Sequence, residues 1–171
     1  MAITIDGTGT ISGISVGGLP DGSIAQADFA SGVAGTGPAF SAYQSSSTSV
    51  SSSTFTKILF GNEYFDTNNN FASSRFTPTV AGYYQISAGV ALNISTSSIV
   101  LIYVNTNSVV FTYANNIVGV LPSTGTTSKL VYLNGSTDYV EVFSYQTSGS
   151  TTTTDTSPSA TWFTGTLVRA A

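Results

Sequence analysis

The sequence predicts an all-β protein built as a double-sheet jelly roll, and two patterns carry that expectation. From Pro38 onward, apolar and polar residues alternate over runs of four to ten, separated by clusters of Ser, Thr, Asn and Gly. No stretch after Pro38 sustains a helical period. A single change of composition falls near the same point: residues 1–37 hold nine of the seventeen glycines and no Tyr or Trp. The chain of 171 residues is therefore expected to divide into an N-terminal segment with linker, 1–37, and a globular head, 38–171.

The first segment alternates Ile3 and Ile5, then Gly7, Gly9, Ile11, Ile14 and Val16, which suits short extended pieces that pair with another chain. Leu19-Pro20-Asp21-Gly22 reads as a turn. Ser23 and Gln26 have the spacing of a capping box, which predicts a short helix from about Ile24 to Ala30. Gly32 to Gly37 then reads as a flexible connection.

In the head, Tyr84, Ile86, Ala88, Val90 and Leu92 share one face of a strand, the pattern of a half-buried sheet. Further strands are expected at Phe55–Phe60, Ser108–Tyr113, Tyr139–Tyr145 and Thr161–Val168, for about eight to ten antiparallel strands in all. Ile99 to Val104 and Leu130 to Leu133 are apolar on both faces, so one face must be covered by something beyond the sandwich. The simplest cover is another copy of the chain. The Ser/Thr runs 45–53 and 147–158 read as long polar loops.

Composition excludes several classes of function. Charged residues are 7% of the chain, against roughly a quarter in an ordinary domain. Lys57, Arg75, Lys129 and Arg169 are its whole basic content, too few for the stripe that neutralises a phosphate backbone, so no nucleic acid partner is expected. No apolar run reaches the 18 or so residues of a spanning helix, and no membrane insertion is expected. The N-terminus has neither the positive nor the apolar region of a secretory signal, which implies synthesis and retention in a cytoplasm.

Without Cys or His, the chain lacks thiolate nucleophiles and the commonest general base, and no catalytic residue is expected. Glu63 and Asp66 lie close enough to suggest a glycosidase pair but fit a turn better. No cofactor or metal is expected, although the oxygen ligands Asp138, Glu141 and Asp155 would suit calcium. Asn93-Ile94-Ser95 and Asn134-Gly135-Ser136 match the glycan acceptor pattern but read as turns. Trp162, a conceivable sugar platform, fits a core or interface position better.

Several motifs then occur in a recognisable order. Pro38-Ala39-Phe40-Ser41-Ala42 opens the head, followed by Phe60, Asn62 and Tyr64-Phe65-Asp66. Arg75-Phe76-Thr77-Pro78-Thr79-Val80-Ala81-Gly82-Tyr83-Tyr84 comes next, and Phe163-Thr164-Gly165-Thr166-Leu167 closes the chain. These resemble the C1q-like head, a jelly roll related to tumour necrosis factor, over about residues 38–168. The resemblance implies a homotrimer, with Ile99, Leu101, Tyr103, Val131 and Leu133 as candidates for its interface.

The family's Gly-Asp before the penultimate strand is here Gly135-Ser136-Thr137-Asp138, a departure from its calcium site. The chain also has no collagen-like repeat. Residues 13–23 and 27–30 resemble a linker of bacteriophage tail-fibre proteins.

Together these resemblances imply a trimeric tail fibre or fibre-tip adhesin of a virion, assembled in the host cytoplasm. Residues 1–37 would dock on other virion proteins, and the tip would bind a glycan or protein of the host surface. A capsid-decorating or head-fibre trimer and a cellular C1q-like lectin are the alternatives. If the N-terminal segment marks the base, stretches 93–98, 114–127 and 147–158 form the tip. Asn93, Ser95, Thr96, Asn115, Asn116, Thr152, Thr153 and Asp155 are then the candidates for receptor contact.

Overall fold

The structure is a computed structural model that describes residues 36–105, 113–115 and 122–171. The expected helix at 24–30 and the rest of residues 1–35 lie outside the described residues. Among the described residues all regular structure is β. In chain order the strands are β1 (Ala39–Tyr43), β2 (Ser49–Val50), β3 (Thr56–Lys57), β4 (Asn62–Asp66), β5 (Phe71–Ala72), β6 (Arg75–Phe76) and β7 (Gly82–Leu92). They continue with β8 (Ser98–Val104), β9 (Tyr113–Asn115), β10 (Ser123–Leu133), β11 (Val140–Gln146), β12 (Thr152–Thr153) and β13 (Trp162–Ala170). Five are two-residue pairings and eight are longer, which meets the expected count.

One sheet has the order β10-β7-β13-β1-β4, and the second runs β5-β6-β11-β8-β9 with β3 also on β11. Every pairing within them is antiparallel. The alternation read in β7 is realised: Tyr84, Ile86, Ala88, Val90 and Leu92 are fully buried. Against them, the second sheet sends Val100, Ile102 and Val104 from β8, with Val140 and Val142 from β11. Phe40 joins the sheets at one end, stacked on Phe71 and Phe76 with ring centroids 4.8 and 4.5 Å away and edge-on to Phe163 at 4.8 Å. Each such ring contributes about 1.5–3 kcal/mol by leaving water.

The closing motif has a steric reason for its glycine. A Cβ on Gly165 would lie 2.7 Å from both Phe40 and Ile86, so the ring cluster occupies the space a side chain would need.

Three expectations are corrected, and a fourth falls mostly outside the described residues. The strand expected over Phe55–Phe60 shrinks to Thr56–Lys57: Ile58 N makes a last bond to β11, to the Val142 carbonyl at 2.9 Å, and the amides after it leave the ladder. Leu59 N donates to Thr48 Oγ1 at 3.2 Å and Phe60 N to Ser74 Oγ at 2.8 Å. The strand expected at 108–113 lies outside the described residues except for Tyr113, which begins β9 opposite Leu101. Within the stretch 114–127 expected at the tip, residues 123–127 belong to β10.

The third correction is one of side-chain direction. Val131 and Leu133, expected at an interface between copies, lie opposite Tyr84 and Gly82 and are buried in the core of the protomer. Side chains alternate along a strand, so the outer face of β10 carries Leu130 and Tyr132 instead.

Candidate recognition surfaces

The links 93–97 and 147–151 leave the sandwich at the same end. Leu92 pairs with Ser123, Ser98 with Gln146 and Tyr43 with Trp162, all far along their strands from Ala39 and Ala170. The two Ser/Thr runs read as loops pair with each other there, with β12 antiparallel to β2.

Two buried glutamines hold these runs in place. Gln44 Nε2 donates to Thr48 Oγ1 at 2.8 Å and to the Leu59 carbonyl at 2.9 Å, while its Oε1 accepts from Thr154 Oγ1. Gln146 Nε2 donates to the carbonyls of Val50 and Ser150 at 3.1 and 2.8 Å, and its Oε1 accepts from Ser148 N at 2.6 Å. A buried amide with its partners satisfied stabilises loops made mostly of Ser and Thr, in which Val50 is a buried apolar anchor.

This scaffold brings part of the expected receptor set together. Asn93 N donates to the Thr153 carbonyl at 3.0 Å and Asn93 Nδ2 to Thr153 Oγ1 at 3.2 Å. Asn93, Ser95, Thr96 and Thr153 are exposed. Thr152 is turned inward, its hydroxyl donating to the Asn93 carbonyl at 3.2 Å. Asp155 is half-buried and accepts from Ser157 N at 2.7 Å. Asn115 ends β9 opposite Ile99, and Asn116 lies outside the described residues.

A second surface is the outer face of the five-stranded sheet. Tyr83 and Tyr132 face each other across β7 and β10 with ring centroids 5.6 Å apart. With Leu130 and Val168 they make an apolar patch, each residue about half exposed. Tyr83, Leu130 and Val168 also border a cavity of about 520 Å³ beside Arg169 and the last two alanines. Further along, Ser87 and Ser128 share a hydroxyl contact of 2.9 Å. Trp162 reaches the far end of this face.

Of the other interface candidates, Ile99, Leu101 and Tyr103 belong to β8 on the second sheet. There Ile99 and Tyr103 are half-buried and Leu101 is buried within the protomer. Tyr103 packs against the Tyr139 and Phe143 rings.

The carboxylates weighed for chemistry have structural partners. Asp66 accepts from the amides of Phe71 and Asn68 at 2.7 and 3.3 Å, closing the turn after β4, while Glu63 is exposed. Asp138 accepts from Asn134 N at 2.9 Å, and Asn134 Oδ1 in turn accepts from the amides of Ser136, Thr137 and Asp138. Glu141 is buried and pairs with Lys57 and Arg75. Among the described residues no group of three metal-ligating side chains comes together.

No family model and no curated protein matches the chain. Solved structures do. The globular domain of zebrafish complement 1qA protein superposes with a TM-score of 0.60 at 15% identity, over 78% of this chain and 99% of that one. Murine APRIL gives 0.61 at 9% identity, over 77% and 98%. The PRD1 vertex protein P5 gives 0.55 at 16% identity, over 77% and 73%. Identities this low establish the fold and leave function to the site. The described domain has the C1q and tumour necrosis factor type of jelly-roll fold.

Proposed function

We propose that the protein is a homotrimeric virion protein, a tail fibre or fibre-tip adhesin that attaches to the host surface through the loops at its tip. The observation that carries this reading is the distribution of side chains on the five-stranded sheet and its ends. Tyr83, Leu130, Tyr132 and Val168 present an apolar face that a copy of the same chain would cover. Exposed amides and hydroxyls of Asn93, Ser95, Thr96 and Thr153 crowd the end away from Pro38, where a fibre would meet its receptor. The likeness of residues 13–23 to a tail-fibre linker supports docking of residues 1–37 on other virion proteins. Three heads on each fibre would convert weak single contacts into stable attachment, and the reading assigns the protein no catalysis.

Purified protein is expected to compete with virions for adsorption to host cells. A lack of competition at saturating concentration overturns the adhesin. A vertex protein among the similar folds favours a second reading, a trimer that decorates or stabilises the capsid. Gold-labelled antibody to the head domain distinguishes the two, marking fibre tips in the first case and the capsid shell in the second.

A further inference from the structure

Lys57 and Arg75 are two of the chain's four cations, and both turn to one carboxylate on the six-stranded sheet. Lys57 Nζ and Arg75 Nε each lie 2.7 Å from Glu141 Oε1, and Glu141 is buried beneath them. Lys57 Nζ also donates to the Ser73 carbonyl at 2.9 Å. The guanidinium carbon of Arg75 stands 3.8 Å from the centroid of the Tyr139 ring. Arg75 is thus held on one face by an aromatic ring and at one edge by a carboxylate.

A guanidinium has five N–H donors. Nε uses one, and among the described residues the other four have no hydrogen-bond partner. The side chain is 42% exposed and borders a cavity of about 460 Å³, together with Lys57, Asn69, Asn70, Thr77 and Thr79. Two cations and one anion leave this site a single net positive charge. Asp66, the carboxylate closest along the chain, is taken up by the amides of Phe71 and Asn68 and does not border the cavity.

The backbone around the cavity is held in an uncommon form. Asn69, Ser73 and Ser74 have φ of 53, 52 and 58°. Left-handed serines are tolerated only where neighbours hold them. Here Lys57 bonds to the Ser73 carbonyl, and Ser74 Oγ bonds to both N and O of Phe60.

We propose that this cavity binds the carboxylate of an acidic sugar, a hexuronic acid unit of a surface polysaccharide, with Arg75 as the contacting cation. A planar carboxylate matches the free edge of a guanidinium, and one negative charge balances the site. The amides and hydroxyls of Asn69, Thr77 and Thr79 suit a ligand rich in hydroxyls. The cavity lies on the second sheet, near the start of β11, so it is separate from both the apolar face and the tip. The inference does not depend on trimer or virion.

Titration of the full chain with glucuronate, followed by amide NMR and calorimetry, tests the assignment. Saturable shifts are expected at Asn69, Asn70, Ser73 and Thr77, with glucose and acetate weaker and phosphate weaker still. Arg75→Lys keeps the charge but loses the fork, and should weaken binding by about tenfold or more. Ala72→Glu is a second variant, on an exposed position opposite Arg75 in the β5–β6 pairing, and its carboxylate should compete from within and abolish binding.

Absence of glucuronate binding in the folded parent chain overturns the site. Equal binding of acetate or glucose overturns the acidic sugar, tighter binding of phosphate overturns the carboxylate, and full affinity in both variants overturns the location. Failure of adsorption competition would leave all of these outcomes readable.

Discussion

Gly89 and Trp162 lie opposite each other in the pairing of β7 with β13, and the indole occupies the space a side chain at Gly89 would take. A Cβ there would come within 2.5 Å of Nε1. Gly89→Ala should therefore displace the ring and cost about 1–3 kcal/mol through overpacking. Trp162 is the single tryptophan of the chain, so its fluorescence reports the displacement directly. An unchanged spectrum and melting temperature would contradict the packing.

Neighbouring residues of β10 should behave in opposite ways. Replacing the outward pair with Leu130→Ser and Tyr132→Ser should shift the protein toward monomers in light scattering while the head stays folded. Leu133→Ala, one residue further on, opens a cavity in the protomer core and should lower stability by about 2–5 kcal/mol. A parent chain that is monomeric at micromolar concentration would remove the reason for the apolar face.

Tyr84 couples stability to alkaline pH. Its hydroxyl donates to the Val80 carbonyl at 2.7 Å, and burial pushes its pKa up from 10.0 to about 12. The folded form then holds a proton that the unfolded chain releases. The contribution is complete below pH 10 and declines as pH rises toward about 12. Denaturant unfolding of Tyr84→Phe should show a loss of about 1 kcal/mol at neutral pH, from the missing hydrogen bond. The difference between the variant and the parent should shrink as pH passes through that window.

The β5–β6 hairpin offers a test of stored strain. Ser73 and Ser74 form its two-residue turn with positive φ at both positions, as a type I′ turn requires, and glycine or asparagine adopts that conformation more easily. Ser73→Gly should raise stability by about 0.5–1 kcal/mol. Ser74→Gly should not, because it loses the hydroxyl that bonds both backbone groups of Phe60. Thermal melting of the two variants side by side distinguishes strain from side-chain contact.

The long strands and the fold class were legible because side chains alternate with period two and the core is built from one face. Tyr84 to Leu92, Tyr139 to Tyr145 and Thr161 to Val168 could be read this way, within a residue or two at their ends. Leu130–Leu133 shows where that reading stops. Apolarity on both faces correctly signalled an exposed apolar surface, but the residues named for it faced the core, because the sequence does not say which member of an alternating pair turns outward. The loop cluster around Asn93 and Thr153 was legible only as polar stretches. The glutamines that support it, Gln44 and Gln146, carry no pattern that marks them as buried.

The sequence by itself determined that the described domain is all-β and which strands supply its core, and its lack of Cys and His excludes chemistry by those side chains. These follow from local periodicity and composition. Only the tertiary structure decided that the two Ser/Thr runs pair with each other, that Leu130 and Tyr132 rather than Val131 and Leu133 face outward, and that Trp162 lies over Gly89. It also decided that Lys57, Arg75 and Glu141 converge on one site. Each of these depends on sheet register between residues far apart in the chain, where a shift of one position exchanges the two faces of a strand.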